Sequence, residues 1–169
     1  MAKDSAHPRW QVRVLAGLFA SLLTLSGLAL LAPAPAQAAA PIQRWSQADT
    51  SGERWAISLF EQPDPDFEPG WRLRLNALGL DQRLDHQRPM EVQGATGAHW
   101  QLANRSEEQV PAGEAAIPAG SAQFDLAGLV PRPSNALPLR ISIPLQDAPD
   151  RDLMLSPEIV AAISTAGEG

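Results

Sequence analysis

The stretch WRLRLNAL, Trp71–Leu78, puts Trp71, Leu73, Leu75 and Ala77 on one side of an extended chain and Arg72, Arg74 and Asn76 on the other. A period of two is what a half-buried β-strand requires, because successive side chains of a strand point to opposite faces. Arg72 and Arg74 are expected to face water and to meet the acidic stretch before them. RWAISLFEQ, Arg54–Gln62, sets Trp55, Ile57 and Leu59 against Ala56, Ser58 and Phe60. That pattern reads as a strand with two partly buried faces. ALPLRISIPLQ, 136–146, lines up Leu137, Leu139, Ile141, Ile143 and Leu145 opposite Pro138, Arg140, Ser142 and Pro144. Proline cannot donate to a ladder, so two of them on the outward face place this strand at a sheet edge, or pair it on one side only.

The remaining segments read as connections and shorter elements. PDPDFEPG, 63–70, is a loop, with three Pro and a Gly among three acidic residues. LDQRLDHQRPMEV gives a turn and one or two short strands around Pro89. QGATGAHWQL reads as a hairpin about Gly94–Gly97, with Trp100 and Leu102 on its second arm. NRSEEQVPAGEAAIPAG, 104–120, is polar, acidic and broken by two Pro, and reads as an exposed loop. SAQFDLAGLVP gives a short strand and one helical turn. RDLML runs back as a hairpin partner after DAPD, and Ser156-Pro157-Glu158 opens a short helix over EIVAAI, ended by Gly167. The expected fold is mainly β: an antiparallel sandwich or partly open barrel of about seven to eight short strands with a short C-terminal helix.

The N-terminus sets the compartment. Lys3, Arg9 and Arg13 precede VLAGLFASLLTLSGLALL, a run without a charge, and APAPAQAAA follows with the A-x-A pattern at Ala36-Gln37-Ala38. This is the signature of a secretory signal peptide cut after Ala38. An uncleaved anchor is the other reading, since the apolar run nears the roughly 18 residues at which a span becomes feasible. The expected organisation is a signal over 1–38, a lead-in over 39–53 and one β-rich domain over 54–166, with no integral span after cleavage.

Removing 38 of 169 residues takes away a net charge of +2 and changes −6 to −8. Such a balance opposes nucleic acid or an anionic membrane surface as partner. The chain has no Cys, so neither a disulfide framework nor a thiolate nucleophile is available. A domain of this length buries nearly 70 per cent of its unfolded surface, enough to fold without one.

Four features taken in order resemble a known family: Gly52-x-x-Trp55, LRLNALG leading to LDHQRPMEV, the QFDL motif, and PLRISIPL followed by a hydrophobic strand and S-P-E-I-V. Together they are similar to an exported family of cyanobacterial proteins whose shared domain has no known function. The resemblance covers most of residues 50–163. It departs in the acidic 104–120 loop and at Ala77-Leu78-Gly79, where the family pattern has Phe-Pro-Gly. It implies the periplasm or thylakoid lumen and a tie to photosynthetic membranes, and it implies no activity.

Chemistry-bearing constellations are sparse. After the signal only His86 and His99 remain, with no Gly-x-Ser-x-Gly elbow, and Ser121 in PAGSAQ is a poor substitute. Asp85, His86 and His99 would converge only if their strands pair, and Trp100 adjoins His99; these four are the candidate ligand residues. Solvated surface is the competing reading. DPDFE has three carboxylates but lacks the Gly turn and fixed-offset Glu of a calcium loop. No catalytic residue, metal ligand or cofactor is assigned. Trp45, in the lead-in, and Arg140, on the supposed edge strand, are the candidate partner-binding residues. The leading expectation is a non-catalytic domain that binds or stabilises another exported or membrane-associated protein, by strand addition at PLRISIPL and ordering of the 104–120 loop. A small-ligand or carbohydrate binder and an unrecognised hydrolase are the alternatives.

Overall fold

The computed structural model describes residues 41–79, 81–111 and 116–167; the expected signal segment lies outside them. Eight strands form two antiparallel sheets of four. The first sheet contains β1 (Gln43–Ala48), β2 (Arg54–Glu61), β3 (Trp71–Ala77) and β6 (Ser121–Asp125), in that spatial order. The second contains β5 (His99–Leu102), β4 (Met90–Gly94), β7 (Leu139–Ile143) and β8 (Arg151–Met154), again as they lie in space. One helix, α1 (Pro157–Thr165), follows. The expected mainly β fold is therefore observed, with the sheets packed as a sandwich and no closed barrel.

The alternating residues build one core. Trp55, Ile57 and Leu59 of β2, Leu73 and Leu75 of β3, and Ala122 and Phe124 of β6 are buried from one sheet. Met90, Val92, Trp100, Leu102, Leu139, Ile141, Ile143 and Leu153 face them from the other, and Ile159, Val160 and Ile163 of α1 join. The pairings Leu59↔Leu73 and Leu73↔Phe124 keep these side chains in register. A slip of one residue would turn every one of them to the opposite face.

The sheets also meet at their margins. Residues 103–105, continuing from β5, bond to β6 through Asp125 N–H to the Ala103 carbonyl (2.9 Å) and Arg105 N–H to the Gln123 carbonyl (2.7 Å). At the other margin Thr50 N–H donates to the Asp152 carbonyl (3.1 Å), and the Gln47 side chain donates to the Met154 carbonyl. The turn between β1 and β2 is held by Asp49, which accepts from Ser51 N–H and Oγ–H, Glu53 N–H and Trp55 Nε1–H at 2.7–3.0 Å.

Three expectations need correction. The supposed lead-in contains β1, paired along β2 from Gln43↔Leu59 to Ala48↔Arg54. Trp45 is its one large apolar residue on the core side, so an alternation of apolar residues never develops. Second, β7 is an inner strand between β4 and β8, not an edge. Pro138 and Pro144 lie just outside Leu139–Ile143, so neither is asked for a ladder bond. Third, the 104–120 segment is not simply an exposed loop. Ser106–Gln109 form a 3₁₀ turn that contacts β6, and Ser106 is fully buried.

Candidate functional site

The outer face of the second sheet brings together two of the sequence candidates, His99 and Arg140. The pairings His99↔Gln93, Gln93↔Arg140 and Arg140↔Met154 set these four residues in one row across the sheet. The neighbouring row is Gln101, Glu91, Ser142 and Asp152. The guanidinium of Arg140 donates to Asp152 Oδ2 at 3.3 Å and to the Gln93 side-chain oxygen. His99 Nε2 stands 3.9 Å from Glu91 Oε2, both half-exposed. This row ends in apolar surface. Met154 is 49% exposed and Leu137 41% exposed. They line a cleft of about 280 Å³ with Pro138, Leu155, Pro157 and Val160. Pro138 and Met154 are shared with a shallower depression of about 420 Å³ that reaches Arg140 and the Gly94–Gly97 turn.

Asp85 and His86 lie elsewhere. Asp85 Oδ1 accepts from the N–H groups of Gln87 and Arg88, and Oδ2 from Arg88 Nε at 3.0 Å. The Gln87 N–H bond, with the Arg88 contacts and against a smaller effect of burial, holds the Asp85 carboxyl below its usual range. Arg88 continues to Asp150 and to the Leu145 carbonyl, so this carboxylate staples a turn. His86 Nε2 lies 2.9 Å from the Ser121 carbonyl, not from its hydroxyl. Its wall of a polar cleft of about 320 Å³ is shared with Arg83, Gln87 and Gln146. Among the described residues no three His, Asp or Glu converge as a metal would need. Trp55 and Trp100 are buried, Trp45 and Trp71 half-buried, and Trp100 Nε1 donates to the Pro131 carbonyl at 2.9 Å.

Sequence reasoning missed the main ionic cluster, which sits on the outer face of the first sheet. Arg72, expected in water, has a fully buried side chain. Its Nε and Nη2 donate to Glu108 Oε2 and Oε1 at 2.8 and 2.9 Å, and Nη2 also reaches the Glu68 carbonyl at 2.7 Å. Glu108 Oε2 accepts further from Gln62 (2.6 Å) and Gln123 (2.7 Å). Asp125 Oδ1 lies 3.4 Å from Arg72 Nη1. Arg74 is half-buried: it donates to Gln123 Oε1 at 2.7 and 3.0 Å, and its guanidinium lies 4.9 Å from the centre of the Phe60 ring. Burial alone would push the Glu108 carboxyl up, but hydrogen bonds from Arg72 and Gln62, the Arg72 charge and the Gln123 bond hold it below the usual carboxylate range. A bidentate, fully occupied pair of this kind fixes geometry and leaves no free group for chemistry.

A family model described as a protein of unknown function, DUF3122, matches residues 36–162. No curated protein and no solved structure matches.

Proposed function

The chain belongs to the DUF3122 family of proteins of unknown function, and from that premise we propose that it is an exported, non-catalytic β domain that docks another exported or membrane-associated protein. The observation that carries the reading is the Leu137–Met154 cleft. It is an apolar recess at the end of the second sheet, between the 135–138 segment, Met154–Leu155 and the start of α1, next to a polar row led by Arg140. Protein interfaces combine an apolar anchor pocket with a polar rim in this way. Export rests on the N-terminal pattern of basic residues, apolar run and A-x-A. Periplasm or thylakoid lumen, and service to a photosynthetic complex, rest on the family resemblance. The carbohydrate alternative draws no support from Trp45, Trp55, Trp71 and Trp100, the described tryptophans, which are all buried or half-buried against the core. Strand addition at PLRISIPL is withdrawn, because β4 and β8 occupy both sides of that strand.

The test is capture with the tagged protein, expressed as the full chain, from its native membranes in mild detergent. The wild type is expected to retain a specific protein that Leu137→Asp/Met154→Asp, folded by circular dichroism, does not. An identical set of retained proteins for both would refute the assignment of the cleft. No specific protein with either would refute the docking reading itself.

A further inference from the structure

The outer strands of the two sheets are not equivalent. The edge of β6 is bonded by residues 103–105. Against β5 lies the turn Leu126–Gly128, so close that a Cβ on Gly128 would stand 2.5 Å from the Gln101 carbonyl oxygen. The edge of β8 receives Thr50 N–H and the Gln47 side chain. For β1, no backbone hydrogen bond reaches Gln43–Ser46 from any described residue outside β2. Natural sheets blunt an exposed edge with Pro, charge or a bulge; QRWSQA has neither Pro nor a bulge within the strand, and its single charge is Arg44. Half-buried Trp45 sits in this edge, and Ile42 beside it is 49% exposed.

The charges along the same edge are one-sided. Arg44 is exposed on the outer face of β1, and exposed Arg54 reaches over from β2 to donate to Ser46 Oγ at 3.0 Å. Arg44 and the Arg54 guanidinium held at Ser46 thus occupy positions 44 and 46 of one strand face, positions about 7 Å apart along the strand. Among the described residues no carboxylate lies within ion-pair distance of either, although other arginines, such as Arg72, Arg88, Arg105 and Arg140, have such partners. Arg44 and Arg54 thus offer two cations without a carboxylate partner directly beside an open edge.

We propose that the outer side of β1 accepts an extended acidic segment of another polypeptide as an added strand. Carboxylates at alternate positions of that segment meet Arg44 and Arg54, and its backbone completes the ladder. The proposal deepens the protein-docking reading and rests on it, but places the contact on a second surface. The protein's own acidic stretch in a second copy, PDPDFEPG, is ill suited to the role, because its three Pro cannot complete a ladder.

The test uses the protein expressed as the full chain and a capped eight-residue peptide alternating Val and Glu. Backbone hydrogen exchange at Gln43–Ser46 is followed as peptide is added. The Glu peptide is expected to slow exchange at these residues in a salt-sensitive way. A peptide with Lys for Glu, and one N-methylated at alternate amides, are expected not to. Arg44→Glu/Arg54→Glu should weaken the Glu peptide by about tenfold while leaving the melting temperature unchanged within error. No slowing at millimolar peptide, equal slowing by the Lys peptide, or slowing confined to other strands would overturn the proposal. So would prior protection of Gln43–Ser46 in a dimer seen by sedimentation, which would make the occupant a second copy. The measurement does not involve the Leu137–Met154 cleft, so failure of either assignment is seen separately.

Discussion

Replacing Glu108 by Ala tests the central ionic cluster most directly. The substitution removes both Glu108 carboxylate oxygens from a guanidinium that has no solvent exposure, and leaves the Gln62 and Gln123 amide donors without a partner. Breaking a buried pair by removing one member costs about 3–5 kcal/mol, because the other charge stays buried. Arg72 keeps the Glu68 carbonyl at 2.7 Å and Asp125 at 3.4 Å, which argues for the lower half of that range. Each orphaned amide adds about 1 kcal/mol. The expected loss is about 5–6 kcal/mol, a large part of the roughly 5–15 kcal/mol of a small domain. At about 3–5 °C per kcal/mol for this length, the melting temperature should fall by about 15–30 °C.

The assay is denaturant and thermal unfolding by circular dichroism, run as a double-mutant cycle with Arg72→Met. Arg72→Met/Glu108→Ala should be more stable than the sum of the single effects by about 2 kcal/mol or more, since it buries neither charge. The pH dependence has a definite sign. The Glu108 carboxyl is held below its ordinary value in the folded state, so its contribution is complete above the unfolded Glu pKa of about 4.3 and is lost as pH falls through the lower, folded value. Wild type and Glu108→Ala should therefore differ fully at neutral pH and converge in strong acid. A loss below about 1 kcal/mol at neutral pH, or additive single effects, would mean that water reaches Arg72 and that the cluster is not a closed unit.

Two further outcomes follow from local geometry and from the N-terminal pattern. Gly128→Ala places a methyl group 2.5 Å from the Gln101 carbonyl and 3.3 Å from a Leu102 methyl; with backbone on one side, it should destabilise by about 1–3 kcal/mol in urea unfolding, and an unchanged midpoint would contradict the packing of that turn on β5. Intact mass of the exported product should correspond to a chain beginning at Ala39, whereas a full-length, membrane-embedded product would establish the anchor reading instead.

The elements that were legible in the sequence are those in which one face is apolar and the other is not. Arg54–Glu61, Trp71–Ala77 and the hairpin of Met90–Gly94 with His99–Leu102 follow from alternation and Gly placement, and Pro157 at the first helical position marks α1. The strand Gln43–Ala48 escaped because Trp45 is alone among Gln, Arg and Ser, as suits an edge whose outer face is wet. The position of Leu139–Ile143 in its sheet was misread because the pattern assigns Pro138 and Pro144 to a face but does not say that pairing stops before either is reached. Likewise, His99 and Arg140 are neighbours only through two cross-strand pairings that no local pattern encodes.

Arg72 shows why a period of two is incomplete information. It tells which residues share a face, and says nothing of whether a later segment will cover that face. Here the cover is Ser106–Gln109, which reads as polar loop until its Glu108 is set against Arg72, Gln62 and Gln123. The one available signal was arithmetic: two Arg on a single strand face and an adjacent Glu107-Glu108 pair, in a chain whose arginines otherwise lie scattered. The consequence for function is an asymmetry between the sheets. The outer face of the first sheet satisfies Arg72 and Arg74 internally, which leaves it little unspent charge for a partner. On the docking reading proposed above, the surfaces left for a partner are those the cover does not reach, the β1 edge with Arg44 and Arg54 and the open face of the second sheet. If the cover were lifted by Glu108→Ala without unfolding the domain, Arg72 would keep only the Glu68 carbonyl and Asp125. On the strand-addition proposal an acidic peptide is then expected to gain a second contact on the first sheet, and hydrogen exchange at Arg72–Arg74 would separate that outcome from binding at β1.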